Sequence, residues 1–114
     1  MNYEKLIVWK QSVQLSAALF KHFKCSNDFG FKDQITRSGL SIPSNIAEGM
    51  ARESVKEKAH FLAIAKGSCA ELKTQIIIGI EIDYIERDLG NRWLSLANEI
   101  DAMLTGLRNR IRSV

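Results

Sequence analysis

Two histidines, two cysteines and a few carboxylates are the residues of this 114-residue chain that could do covalent or metal chemistry. His22 and His60 fall on different segments, and neither belongs to an HExxH or other paired-ligand spacing. Glu48 and Glu71 could stand as carboxylates inside a helical bundle, but the Glu-x-x-His pattern of di-iron bundles is missing. Cys25 lies in the loop-like stretch CSNDFG and could be reactive, whereas Cys69 sits on an apolar helix face, where a thiol packs. No glycine-rich phosphate loop occurs. A nucleophile, a base and an orienting group cannot be named together. The chain is therefore expected not to be an enzyme and to need no metal or cofactor.

The remaining chemistry is electrostatic. Sixteen Lys and Arg face thirteen Asp and Glu, a net charge of +3. The cations are spread along the chain except in LRNRIRSV, which gathers Arg108, Arg110 and Arg112. With Lys5, Lys10, Arg87 and Arg92 these are the candidates for salt-sensitive contacts to nucleic-acid phosphates, RNA or DNA. The plainer reading of the arginine-rich end is a helix terminus, where positive charge suits the dipole without any ligand. Both readings stand. No RNP-like aromatic motif or zinc knuckle appears, so base-specific readout is not expected.

A second feature is the stretch SIPSNIAEGMARES, Ser41–Ser54, which combines the only proline with serines, an asparagine and a glycine. These residues resist helix formation, yet the surrounding periodicity is helical. At ~100° per residue, Ile35, Gly39, Ile42, Ile46 and Gly49 form a core face. Beside it lie Gln34, Arg37, Ser38, Ser41, Asn45 and Glu48; Leu40, Pro43, Ser44 and Ala47 take the far side. The stripe is either a solvated face or a buried or interfacial polar network. Its shortage of Lys, and its short hydrogen-bonding side chains, favour the network. Local ion pairs are available from Asp33 to Arg37 and from Glu48 to Arg52, with Glu71 as an interhelical alternative. Pro43 removes one N–H, so a kink or restart is expected there.

Four helical segments position these groups. The first covers about Tyr3–Phe23, with Leu6, Val13, Ala17 and Phe20 at helical spacing, and the second about Phe31–Met50. The third starts at Ser54, where Ser54 and Glu57 can form a capping box, and continues to about Ile85. Its QIIIGIEI could pass for a strand, but no partner strand exists, and Phe61, Ala65, Cys69, Leu72, Ile76, Gly79 and Ile80 continue one helical face. Ile64, Ile78, Ile82 and Ile85 fall outside that face, which predicts cover on a second side, from the bundle and from another subunit. The fourth segment runs from about Asp88 to the end, with Trp93, Ala97, Ile100, Leu104, Leu107 and Ile111 as its stripe. Short connections between long helices predict an all-α, antiparallel up-and-down four-helix bundle, one domain over residues 1–114. No apolar run reaches the ~20 residues of a membrane span, and no secretion signal is evident, so two free thiols in a cytoplasmic protein are expected.

QITRSGLSIPSNIAEGMAR followed by FLAIAKGSCAEL resembles the bacterial proteins encoded within intervening sequences of 23S ribosomal RNA. The resemblance rests on Gln34, Arg37, Ser41, Asn45, Ile46, Ala47, Glu48, Gly49 and Arg52, then Phe61, Leu62, Ala65, Gly67, Ser68, Glu71 and Leu72, with Trp9 in VWKQS. It implies a four-helix bundle that assembles with itself, typically as a five-membered ring. It also implies kinship to the nucleic-acid-binding accessory variability protein of diversity-generating retroelements. Five copies at +3 each would repeat the basic surface around such a ring. The alternative is an assembly module that binds protein partners and no nucleic acid.

Overall fold

The computed structural model describes residues 2–113 and contains a short 3₁₀ turn, Tyr3–Lys5, and four helices: α1 Ile7–His22, α2 Phe29–Met50, α3 Val55–Glu81 and α4 Arg87–Arg112. Successive helices run antiparallel and enclose one core, so the molecule is an all-α four-helix bundle measuring 45 × 21 × 20 Å. The 27 residues of α3 alone span ~40 Å at 1.5 Å each. The starts of α1 and α3 thus share one end with the finishes of α2 and α4. We call this the open end, and the opposite one the locked end.

α2 and α3 begin where the sequence supplies a side-chain acceptor, whereas α1 and α4 begin at Leu6 and Glu86 without one. The Asp28 carboxylate accepts from the Phe31 N–H at 3.1 Å and caps α2. The Ser54 hydroxyl oxygen accepts from the Glu57 N–H at 3.1 Å while its proton goes to the Glu57 carboxylate, a variant of the expected capping box. QIIIGIEI is helical up to Glu81. Ile85 belongs not to α3, as expected, but to the turn after it, where it is buried in the core.

The weak helix formers of α2 are held by packing and by their own side chains. The Thr36 hydroxyl donates to the Lys32 carbonyl at 2.7 Å and the Ser38 hydroxyl to the Gln34 carbonyl at 3.1 Å, which satisfies both groups without solvent. α2 continues through Pro43, which is buried, and does not restart there. Its glycines set the helix spacing. A Cβ at Gly39 would lie 2.5 Å from Leu19 Cδ1, and one at Gly49 would lie 2.9 Å from Phe61 Cβ. Alanine at Gly49 would press on Phe61 Cβ and the Lys58 carbonyl and force α3 away, whereas at Gly39 it would first displace the end of the Leu19 side chain, with the α1 backbone 3.7 Å off.

The buried faces of α2, α3 and α4 match the sequence pattern: Ile35, Ile42 and Ile46; Ala65, Cys69, Leu72 and Ile76; Trp93, Ala97, Ile100 and Leu104. α1 does not. Val13, Ala17 and Phe20 point outward, with Phe20 45% exposed, and the buried face is Val8, Ser12, Leu15, Ser16, Leu19 and Phe23. Two serines conceal it. The Ser12 hydroxyl donates to the Trp9 carbonyl at 2.9 Å and so can be buried. Ser16 is small enough to meet α2 at Gly39.

Candidate nucleic-acid interface and the polar seam

The polar stripe of α2 divides in two. Ser41 and Asn45 are half-buried against α3: the Ser41 and Ser68 hydroxyls lie 2.8 Å apart, and Asn45 Nδ2 donates to Ser41 O at 2.8 Å and to Ser41 Oγ at 2.9 Å. This network couples backbone, hydroxyl and amide across the α2–α3 seam, and Ser38 is buried beside it. Gln34, Arg37 and Glu48 are exposed, so the stripe is not one continuous buried network. Arg37 and Glu48 sit further round the helix from the core face than Ser41 and Asn45, whereas Gln34 shares the angle of these two but lies about two turns nearer the start of α2. Arg37 pairs locally with Asp33 at 2.9 Å. Glu71 is exposed and pairs with neither Arg37 nor Glu48. Ile64 and Ile78 of α3, and Ile82 just beyond its end, are exposed.

Arg52 is a structural latch at the open end. It holds Glu48 at 3.1 Å and Glu57 at 3.5 Å, and its guanidinium carbon stands 4.9 Å from the Phe61 ring centre. One cation thereby ties the end of α2 to the first turn of α3. Lys58 completes the connection by donating to the Met50 carbonyl at 3.2 Å and to the Arg52 carbonyl. These are acceptors that the end of α2 leaves without helical partners.

The remaining cations of this end have no carboxylate partner among the described residues: Lys5, Lys10, Lys56, Arg108, Arg110 and Arg112. Lys5 and Arg110 line an open groove of about 590 Å³ between the 3₁₀ turn and α4, floored by Leu6, Met103 and Gly106. Arg108 is half-buried, and its Nε donates to the Ala59 carbonyl at 3.0 Å. Arg108 and Arg112 share a second open pocket with Lys56 and His60. Sequence reasoning weighs His60 only as a metal or catalytic candidate and passes over Lys56. The signal is nevertheless present: an up-and-down bundle sets the start of the third helix beside the end of the fourth, and both pairs are spaced i, i+4.

Arg87 and Arg92 lie at the locked end, a bundle length from the other candidates. The charge there is mixed, with Asp83, Glu86 and Asp88 close in sequence. Its polar groups bind one another. The Tyr84 hydroxyl donates to the Asp28 carboxylate at 2.7 Å, and His22 Nε2 meets the Tyr84 carbonyl at 3.0 Å. The Tyr84 bond, together with the Phe31 N–H, holds the Asp28 carboxyl below its usual range, and Asp28 raises the Tyr84 phenol. Asp83 adopts φ 63° and lets the chain turn between α3 and α4.

The residues first considered for covalent or metal chemistry are scattered. His22 is at the locked end and His60 at the open end, while Glu48 and Glu71 are both on the exterior. Cys69 is buried, donates to the Ala97 carbonyl at 3.2 Å, and has its thiol pushed up to about 11 by desolvation, which leaves it unreactive. Among the described residues, no three His, Cys, Asp or Glu side chains group around a metal-sized site. Likewise no described helix is long and apolar enough to cross a membrane. Asp101 joins α4 to α3 through Lys66 at 2.8 Å and Lys73 at 3.5 Å. The Lys66 hydrogen bond, ahead of desolvation and the charges, sets its carboxyl low.

The fold is similar to the 1.70 Å crystal structure of a protein of unknown function from the S23 ribosomal protein family of Bacteroides thetaiotaomicron VPI-5482. That match has a TM-score of 0.84 at 24% identity, over 90% of this chain and 98% of that one. No curated protein matches the sequence at a significant level. The family model described as 23S rRNA-intervening sequence protein matches residues 4–106, nearly the whole helical region just described. The chain belongs to the 23S rRNA-intervening sequence protein family.

Proposed function

We propose that this protein is a non-enzymatic, self-assembling four-helix bundle of the cytoplasm that binds structured RNA through its open end. The observation that carries the reading is the asymmetry of net charge: Lys5, Lys10, Arg52, Lys56, Lys58, Arg108, Arg110 and Arg112 outnumber Glu4, Glu48, Glu53 and Glu57 at the open end, whereas Lys21, Lys24, Lys32, Arg87 and Arg92 are matched by Asp28, Glu81, Asp83, Glu86 and Asp88 at the locked end. At the open end Arg52 engages Glu48 and Glu57, which leaves Lys5, Lys56, Arg108, Arg110 and Arg112 with no carboxylate attached to them among the described residues. Such a surface favours phosphate over base edges, and its affinity falls steeply with salt. The family's description, an rRNA-intervening sequence protein, agrees with an RNA-related role.

Assembly belongs to the same reading. Two sets of apolar side chains remain exposed: Val13, Phe20, Phe29 and Leu40 on α1 and α2, and Ile64, Ile77 and Ile78 on α3 with Ile82 just after it. Two different surfaces suit a head-to-tail contact, which closes into a ring when its rotation closes and otherwise extends as a filament. The family resemblance suggests five members. A ring would repeat the open-end cations on one rim and multiply weak phosphate contacts. The test is a gel shift with a structured RNA at low salt, run beside a native mass measurement. Binding that weakens with salt and with Arg110→Gln plus Arg112→Gln is expected; a ring that ignores RNA at low salt would contradict the RNA assignment. That outcome would favour the second reading, a scaffold for protein partners, whose support is the exposed isoleucines of α3.

A further inference from the structure

We infer that the pocket between the first turns of α3 and the last turns of α4 is a phosphate-binding site, one per protomer, formed by Lys56, His60, Arg108 and Arg112. The inference rests on the RNA reading and gives it an address. The pocket is open, with a volume of about 630 Å³, and its remaining lining is Val55, Ala59 and Ala63, so no carboxylate enters it. Four cationic or proton-donating side chains converge there. Helix spacing alone does not require this, and without an anion such crowding is repulsive.

The Arg108 geometry indicates what the pocket receives. Its Nε is fixed at 3.0 Å on the Ala59 carbonyl, which orients the guanidinium plane and leaves the terminal nitrogens free. No carboxylate holds them among the described residues. A guanidinium anchored through one N–H presents its other edge as a fork that matches two oxygens of a phosphate. His60 makes no hydrogen bond among the described residues, and its ring supplies an N–H whichever nitrogen carries the proton. Lys56 and Arg112 are exposed and reach in from opposite helices. The small side chains of Ala59 and Ala63 leave the floor low enough for close approach. Aspartate or glutamate of a protein partner would use the charges, but the third and fourth donors match the extra oxygens of a phosphate.

Pyrophosphate is the direct probe, with the whole protein observed by NMR. Saturable shifts of the Arg108 Nε–H and the His60 ring are expected. They should disappear in Lys56→Gln/His60→Gln/Arg112→Gln, whose three positions are exposed, so unchanged melting confirms its fold. An absence of saturable shifts, or equal shifts in the triple variant, would overturn the site. The second arm is filter binding of an RNA oligonucleotide across a salt series. The triple variant should bind at least ~10-fold more weakly, and its salt dependence should flatten by about 0.7 for each phosphate it no longer neutralises. Pyrophosphate shifts without RNA binding by the unaltered protein would keep the phosphate site and remove the RNA reading. RNA binding by the triple variant with unchanged affinity and slope would remove the site and keep the reading.

Discussion

The two ends of this bundle are built from the same helices and treat their polar groups in opposite ways. At the locked end, His22, Phe23, Phe31, Tyr84 and Trp93 pack around the loops with ring centres 4.7 to 5.7 Å apart, edge to face except for the tilted Phe23–Phe31 pair. Tyr84, Asp28 and His22 satisfy one another above them. At the open end Arg52, Lys58 and, through its Nε, Arg108 are committed to structure, and the cations outnumber the acids. On the proposed RNA reading, the difference separates stability from recognition along the length of the molecule. One end resists unfolding through aromatic packing. The other tolerates surplus charge because α3 and α4 are already fixed by the core and by Lys66–Asp101.

The comparison can be broken outright. Ile46 is fully buried, and Ile46→Asp would place an unpaired charge in the core at a cost of several kcal/mol. Loss of the cooperative urea transition, and of both ends with it, is expected. Phe23→Ala acts on the locked end alone: a 3% exposed ring is removed, and destabilisation of about 3–5 kcal/mol is expected in urea unfolding, with RNA affinity of the folded fraction unchanged. Ser41→Ala tests the seam between the ends. It removes the hydroxyl shared by Ser68 and Asn45, and a loss of about 1 kcal/mol is expected by the same measurement. A loss of assembly in the same variant would assign the seam to the contact between protomers.

Acid should weaken the locked end and the α3–α4 bridge. Asp28 and Asp101 both have carboxyls held below the ordinary range in the folded state. Their contribution is therefore full above the unfolded carboxylate value of about 4 and is lost as pH falls through the lower folded value. Melting temperature should drop below about pH 4, less so in Asp28→Asn. The smallest stability effect is expected from Arg110→Gln plus Arg112→Gln, within about 0.5 kcal/mol, since both side chains are exposed.

Much of the fold is legible in the sequence because α2, α3 and α4 carry unbroken apolar periodicity, and because Ser54 and Glu57 mark a helix start. α1 misleads for a definite reason: Ser12 and Ser16 occupy core positions that apolar counting passes over, while Val13, Ala17 and Phe20 form a tidy stripe on the outside. The polar stripe of α2 stands out as unusual, but its division into a buried half and a solvated half depends on where α3 crosses. Arg52 reads correctly as a partner of Glu48, although its second partner, Glu57, lies across a loop. The Lys56–His60–Arg108–Arg112 pocket escapes sequence reasoning because its two halves are some fifty residues apart and meet only through the antiparallel return of α4.

The central claim is that one end of the bundle, and not the other, contacts nucleic acid. Salt-dependent filter binding of a structured RNA to two variants tests it most directly: Arg108→Gln/Arg110→Gln/Arg112→Gln at the open end, and Arg87→Gln/Arg92→Gln at the locked end. The account predicts at least ~10-fold weaker binding and a flatter salt dependence for the first, with the second close to the unaltered protein. Equal losses in both variants, or a loss only in the second, would contradict it.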